Sequence, residues 1–353
     1  MANILTDYRR RPGRLSPISG IGGRPAATAP DGGNDNADKD DVGKTPRYTS
    51  AMTGVSFVVT VYNKAPYLPA VLGAIFAQEG DFDREYILID DGSRDDSVAV
   101  MERLCAGQSN VRILRQANAG PAKATNEAVR AATLPWLKIV DGDDVLAPWC
   151  TQSLLDAATH LGTRFAVGRN IVARDPFHVD FPAALMPAVV RRCNFFAKCL
   201  RNVPCNLTPT LVDRGLYWEI GGCDERLFIQ DFSLLLRLSW RETPALIDRA
   251  VSASSDLPGS RLTDNQRLIL KEINQAMVYF LAETAGVPFA VRRKAAERIF
   301  GRAWKWQHRK LGASVASRWF WLYALAKFGP PSLTSSYLAS TLDAFGAPVG
   351  GRP

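Results

Sequence analysis

The chain has 353 residues, 46% of them hydrophobic and 22% charged, which is ordinary globular composition with length enough for a substantial core. Its net charge of +8 is concentrated: between Val291 and Pro330 ten Lys or Arg stand against one acid, Glu297, so the remainder is close to neutral. No run of eighteen apolar residues exists, which excludes a membrane-spanning helix, and the polar, arginine-rich first fifty residues lack the apolar core of a signal peptide.

Residues 1–52 are rich in Gly, Pro, Asp, Asn and Arg without apolar periodicity, and are expected to form a disordered tail. "GIGGRP" within it looks like a phosphate loop but has neither a strand before it nor a helix after it. From Gly54 the texture changes. The β-branched run Val55–Asn63 predicts a buried strand, and Ala65–Gln78, with two early prolines, predicts a helix. Glu85–Ser93 reads as a second strand ending in acids, Ser93–Cys105 as a capped helix, and Val111–Arg115 as a third strand. Gly120–Ala132 predicts a further helix and Trp136–Val140 a fourth strand. Strands alternating with helices imply an α/β fold with a mostly parallel sheet flanked by helices.

In such sheets ligands bind beyond the carboxyl ends of the strands. Thr60, Tyr62 and Asn63 end the first strand, Asp90 and Asp91 the second, and Asp141 and Asp143 the fourth, so all are expected on one rim. Two carboxylates one residue apart suit a hard divalent cation such as Mg²⁺, whose shell substrate phosphates complete. Acid pairs are also common in solvated turns, and spacing alone leaves both readings open. The small-residue loop "NAGPAKATN" would let backbone approach a ligand, with Lys123 placed to meet a phosphate. Further on, Phe232, Leu234, Leu235, Leu236 and Leu238 predict a buried helix with Asp231 at its start. There Asp231 is either a plain cap favoured by the helix dipole or a general base at the edge of an acceptor pocket.

Cys105, Cys150, Cys193, Cys199, Cys205 and Cys223 form no C-x-x-C pair and are expected to be reduced thiols of a cytosolic protein. His160, His178 and His308 are too scattered for a histidine zinc site.

"VVTVYNKAPYL", "ILIDDGSRDDS", "NAGPAKATNEAV", "VDGDD" and "GGCDERLFIQDFSLLLRLS" stand in the order found in family 2 glycosyltransferases, and residues 54 to 240 resemble that family. The resemblance implies the GT-A (Rossmann-like) fold over residues 53–250, a nucleotide-sugar donor, a divalent cation (Mn²⁺ or Mg²⁺) and inversion at the anomeric carbon. It implies that Thr60, Tyr62 and Asp91 contact the nucleotide base and that Asp141 lies near the ribose. It makes Asp143 the metal ligand and Asp231 the catalytic base. Asp144 is left to support the loop or face the acceptor, and Gln230 stands where the family has glutamate. No Q-x-x-R-W motif marks a processive synthase, and the family's histidine after the base has no counterpart in "SASSDLPGSRLTDNQ", so a third metal ligand is unassigned.

Residues 251–353 are expected to be a helical, basic and aromatic C-terminal extension. Phe300, Trp304, Leu311, Val315, Trp319 and Leu322 fit one helical face, either packed on the catalytic domain or lying at an anionic membrane surface. Nucleic acid is not an expected partner, since no binding motif is present. The expected activity is non-processive hexosyl transfer to a carbohydrate or lipid-linked acceptor in envelope or exopolysaccharide synthesis. The expected place is the cytoplasm, at the inner face of the cell membrane if the extension docks there. The alternatives are a sugar-phosphate nucleotidyltransferase, whose glycine- and arginine-rich loop "TVYNKAPYL" replaces, and a catalytically silent nucleotide-sugar-binding scaffold.

Overall fold

The computed structural model describes residues 53–181, 190–192, 194–255, 265–329 and 334–346. The expected tail, Cys193 and most of "SASSDLPGSRLTDNQ" lie outside them. The first half alternates as its sequence dictates: β1 (Val55–Val61), α1 (Leu68–Phe76), β2 (Arg84–Asp90), α2 (Ser97–Cys105), β3 (Val111–Arg115), α3 (Pro121–Ala131) and β4 (Trp136–Asp141). α1 begins three residues later than the apolar spacing suggests, because Ala65–Tyr67 form a turn whose Tyr67 N–H donates to the Lys64 carbonyl.

β3, β2, β1 and β4 lie side by side and are parallel. Strands covered on both faces carry continuous apolar runs, and β1 is buried along nearly its whole length. Alternate residues divide between two cores. Val58, Ile87, Ile89, Leu137 and Ile139 face one, with α3; Phe57, Val59, Leu88 and Val140 face the other, with α1.

Beyond β4 the chain adds β5 (Val145–Leu146), α4 (Cys150–Leu161), β6 (Phe165–Ala173), β7 (Val190–Arg192), α5 (Phe195–Arg201), β8 (Thr210–Asp213), α6 (Arg214–Glu219), α7 (Gln230–Arg241) and β9 (Ala245–Ser255). The sheet runs β3-β2-β1-β4-β8-β6-β9-β5, with β7 on β9, and becomes mixed here. β8 is antiparallel to both β4 and β6, while β6 and β9 are parallel.

The C-terminal part contains α8 (Gln266–Glu283), α9 (Phe289–Leu311), α10 (Arg318–Phe328) and α11 (Ser335–Ala339), then a 3-10 turn at Ser340–Phe345. Met277, Phe280, Ile299 and Phe300 join the same core as Leu234 and Leu235 of α7. The single aromatic face expected across residues 300–322 is not formed. Gly312, at φ 69°, caps α9 in the left-handed region, so Phe300 and Trp319 are buried while Leu311 and Val315 face solvent.

Candidate active site

Register puts the carboxyl ends of the four parallel strands level. Thr60 pairs with Ile89 on one side and Asp141 on the other, and Asp90 pairs with Arg115. Thr60, Asp90, Asp91, Asp141 and Asp143 therefore share one rim, as the sequence implies.

Three loops are tied together there. Asn63, at φ 54°, accepts from the Arg94 N–H at 2.8 Å through Oδ1, while its own N–H donates to Ser93 Oγ at 2.9 Å. Lys64 N donates to Ser97 Oγ at 2.8 Å and Ala65 N to Asp95 Oδ2 at 3.0 Å. The side-chain oxygen of Asn63, expected at the donor, is thus bonded to the loop after β2. Thr60 and Tyr62 are half-buried beside it.

Asp91 is buried and organises the glycine loop. Its Oδ1 accepts from Gln116 Nε2 at 2.7 Å and Ala119 N at 2.8 Å, and its Oδ2 accepts from Gly120 N at 2.9 Å. Gly92 makes this approach feasible: at φ 75°, a Cβ there would lie 2.7 Å from Asn118 N. Lys123 stands exposed on the first turn of α3.

The three acids after β4 separate by environment. Asp144 is buried; its N–H closes a turn on the Asp141 carbonyl at 3.1 Å, and its Oδ2 accepts from Asn206 Nδ2 and from Thr208 Oγ1, the latter at 2.7 Å. That is a loop-holding role. Asp143 is partly buried, and its Oδ2 is 2.5 Å from Lys64 Nζ. Gly142 passes so close to β1 that a Cβ would lie 2.9 Å from the Thr60 carbonyl.

Beneath the turn, Lys138 is fully buried in β4 and donates to the Thr208 carbonyl. Burial pushes its pKa down, against the pull of Cys150, Asp144 and Asp141. Sequence reading passed over both lysines. A charge inside the apolar run "WLKIV" was a signal for Lys138, whereas nothing local links Lys64 to Asp143, 79 residues on.

Asp231 lies in the first turn of α7, where its Oδ1 accepts from Phe232 N at 2.7 Å. The preceding loop is held from two sides. On α3, Thr125 Oγ1 donates to Gln230 Oε1 at 2.7 Å, and Asn126 Nδ2 donates to the Cys223 carbonyl at 3.0 Å. On α8, Glu272 Oε2 accepts from Phe228 N and Ile229 N, both at 2.7 Å. Gln230 is thereby buried as a tie between helices.

Among the described residues no group of three His, Cys, Asp or Glu could hold a metal ion by itself. A carboxylate that solvent still reaches on a rim nevertheless fits a hard cation whose remaining ligands are substrate phosphates. Asp143 would hold it, with Lys64 displaced.

This arrangement, a parallel sheet with acids at its carboxyl rim and mixed strands leading to a helix-borne acid, defines a GT-A fold. Residues 56–221 match the family model described as Glycosyl transferase family 2. Over that segment the chain is similar to family 2 glycosyltransferases. Its segment is 32% identical over 104 residues to the uncharacterized glycosyltransferase EpsJ of Bacillus subtilis (strain 168), covering 30% of each chain. It is 31% identical over 123 residues to the succinoglycan biosynthesis protein ExoO of Rhizobium meliloti (strain 1021), covering 34% of each. These alignments span well under half of either relative's length. Among solved structures, S. aureus TarS 1-349 in complex with UDP-GlcNAc superposes with TM-score 0.59 at 14% identity, covering 83% of this chain and 89% of that one. The mannosyltransferase PcManGT from Pyrobaculum calidifontis, in complex with GDP-Man and Mn²⁺, gives TM-score 0.51 at 17% identity, covering 82% and 84%. At such identities the likeness is one of fold.

Proposed function

We propose that the chain is a non-processive, inverting glycosyltransferase that moves a sugar from a nucleoside-diphosphate donor to an acceptor hydroxyl. The observation that carries this reading is the single rim on which Asp91, Asp141 and Asp143 meet, with Asp231 supported separately on α7. A nucleotide-sugar donor is supported by the fold relatives that bind UDP-GlcNAc and GDP-Man. A role in exopolysaccharide or envelope synthesis is supported by the likeness to ExoO.

In this reading Thr60, Tyr62 and the Asp91-bound loop receive the base, Asp141 faces the ribose, and Lys123 approaches the phosphates. Asp231 takes the proton of the acceptor hydroxyl as its oxygen attacks the anomeric carbon, in one in-line displacement with oxocarbenium character. The nucleoside diphosphate departs on the opposite side. A divalent cation at Asp143, when bound, supplies charge stabilisation for the diphosphate, as Mn²⁺ accompanies GDP-Man in PcManGT. Lys64, released from Asp143, is then free to meet the same phosphates. Residues 291–330 give the enzyme a peripheral position at the inner face of the membrane, next to a lipid-linked or envelope acceptor. Among the described residues no helix is long and apolar enough to cross a membrane.

The test is a thermal-shift panel of nucleoside diphosphates and nucleotide sugars, with and without Mn²⁺. Stabilisation by one nucleotide series is expected, larger with the metal. Absence of any shift across the panel would contradict the reading.

A further inference from the structure

α10 carries large apolar side chains on opposite sides, with Arg318 and Lys327 its only charges, and apolar helix faces are ordinarily covered. One side is covered. Trp319 and Ala326 are buried, Trp319 clusters with Ala303, Ala344 and Phe345, and Phe320 meets Trp304 edge-on at 5.2 Å. The other side is bare. Trp321 is 62% exposed, Leu325 40% and Phe328 77%, at positions i, i+4 and i+7 of one helical stripe. Leu311 at the end of α9 and Val315 in the turn leading into α10 are likewise exposed.

Charge identifies the occupant. From Arg309 to Gly329 the chain carries Arg309, Lys310, Arg318 and Lys327 and no acid. All four are exposed. Asp343, on the 3-10 turn, stands 4.0 Å from Arg318, and both side chains are largely solvated. Lys327 lies against its own stripe, 5.1 Å from the Phe328 ring, and Arg318 lies over Trp319 at 4.3 Å. Large apolar side chains including tryptophan, fringed by cations, match the headgroup–acyl boundary of an anionic bilayer. A self-complementary contact between two copies would instead set like charges against each other.

We propose that the outward stripe of α10, Trp321, Leu325 and Phe328 with Lys327 beside it and Arg309 and Lys310 at the end of the preceding helix, inserts into the surface of an anionic lipid bilayer. This deepens the peripheral position given to residues 291–330 and rests on it.

The test is flotation of the full chain with vesicles of phosphatidylglycerol and phosphatidylethanolamine, set against phosphatidylcholine alone. The wild-type chain is expected to float with the anionic vesicles only. Trp321→Ser/Leu325→Ser/Phe328→Ser, all solvent-exposed substitutions, is expected to lower the bound fraction about tenfold or more, and Arg309→Gln/Lys310→Gln/Lys327→Gln to lower it comparably. Circular dichroism checks that both variants keep their helix content. If the stripe variant floats like wild type, the stripe is wrong although membrane association stands; if the wild type does not float, both fall. A dimer of the free wild-type chain that the stripe variant abolishes, with no vesicle binding, would assign the face to a second copy instead.

Discussion

Lys64 Nζ lies 2.5 Å from Asp143 Oδ2, so the carboxylate proposed to hold a metal ion is held by the protein's own cation. The two side chains are 20% and 19% exposed, and ion pairs that water still reaches are worth about 1 kcal/mol or less. A divalent cation bound there as proposed would therefore displace Lys64 at modest cost. Lys64→Met is expected to tighten Mn²⁺ binding to the donor-free protein by about fivefold or less, read by electron paramagnetic resonance of free Mn²⁺. Asp143→Ala should weaken Mn²⁺-dependent donor binding. Unchanged Mn²⁺ affinity in both variants would place the metal elsewhere.

Asp91 accepts from two consecutive backbone N–H groups of the glycine loop, and an amide cannot reproduce both contacts. In Asp91→Asn one N–H of Ala119 or Gly120 would meet an NH₂ donor. A buried donor left unpaired costs about 1–3 kcal/mol. Lower thermal stability and weaker nucleoside-diphosphate binding are expected together, measured by calorimetry.

How much of this was legible beforehand follows from range. The first four strands and three helices are local patterns: β-branched runs and apolar spacing inside windows of fifteen residues or so. The rim acids were legible for the same reason, since each closes its own strand. β6, β8 and β9 were not, because their pairings with one another join residues 43 to 82 positions apart in no simple order. The division of labour among Asp141, Asp143 and Asp144 also had to come from tertiary contacts: Asn206 and Thr208 claim Asp144, and Lys64 claims Asp143. Periodicity misled at residues 300–322, where it counted through Gly312 as if the helix continued.

Acid sensitivity has an identifiable source. Burial raises the pKa of Glu85, but hydrogen bonds from Ser56, Thr133 and Leu134 outweigh it and hold the group below its ordinary 4.5. A depressed carboxylate contributes stability that is complete above the unfolded value and is lost as pH falls through the folded one. Glu85→Gln should accordingly be less stable than wild type at neutral pH, with the difference shrinking below about pH 4.5. Urea unfolding at a series of pH values measures this.

The C-terminal helices reach the candidate base through Glu272. Its carboxylate accepts from Phe228 N and Ile229 N, which fix the entry to α7. In Glu272→Ala those two N–H groups lose their acceptor and the position of Asp231 loosens. A fall in kcat of about tenfold with donor KM little changed is the expected result, from steady-state kinetics once a donor is known.

Everything proposed for the chemistry converges on Asp231. The decisive measurement compares Asp231→Asn with wild type for donor binding by calorimetry and for sugar transfer or donor turnover. Donor affinity within about twofold of wild type, together with a loss of transfer of about a hundredfold or more, is the predicted result. Full activity in Asp231→Asn would contradict the account.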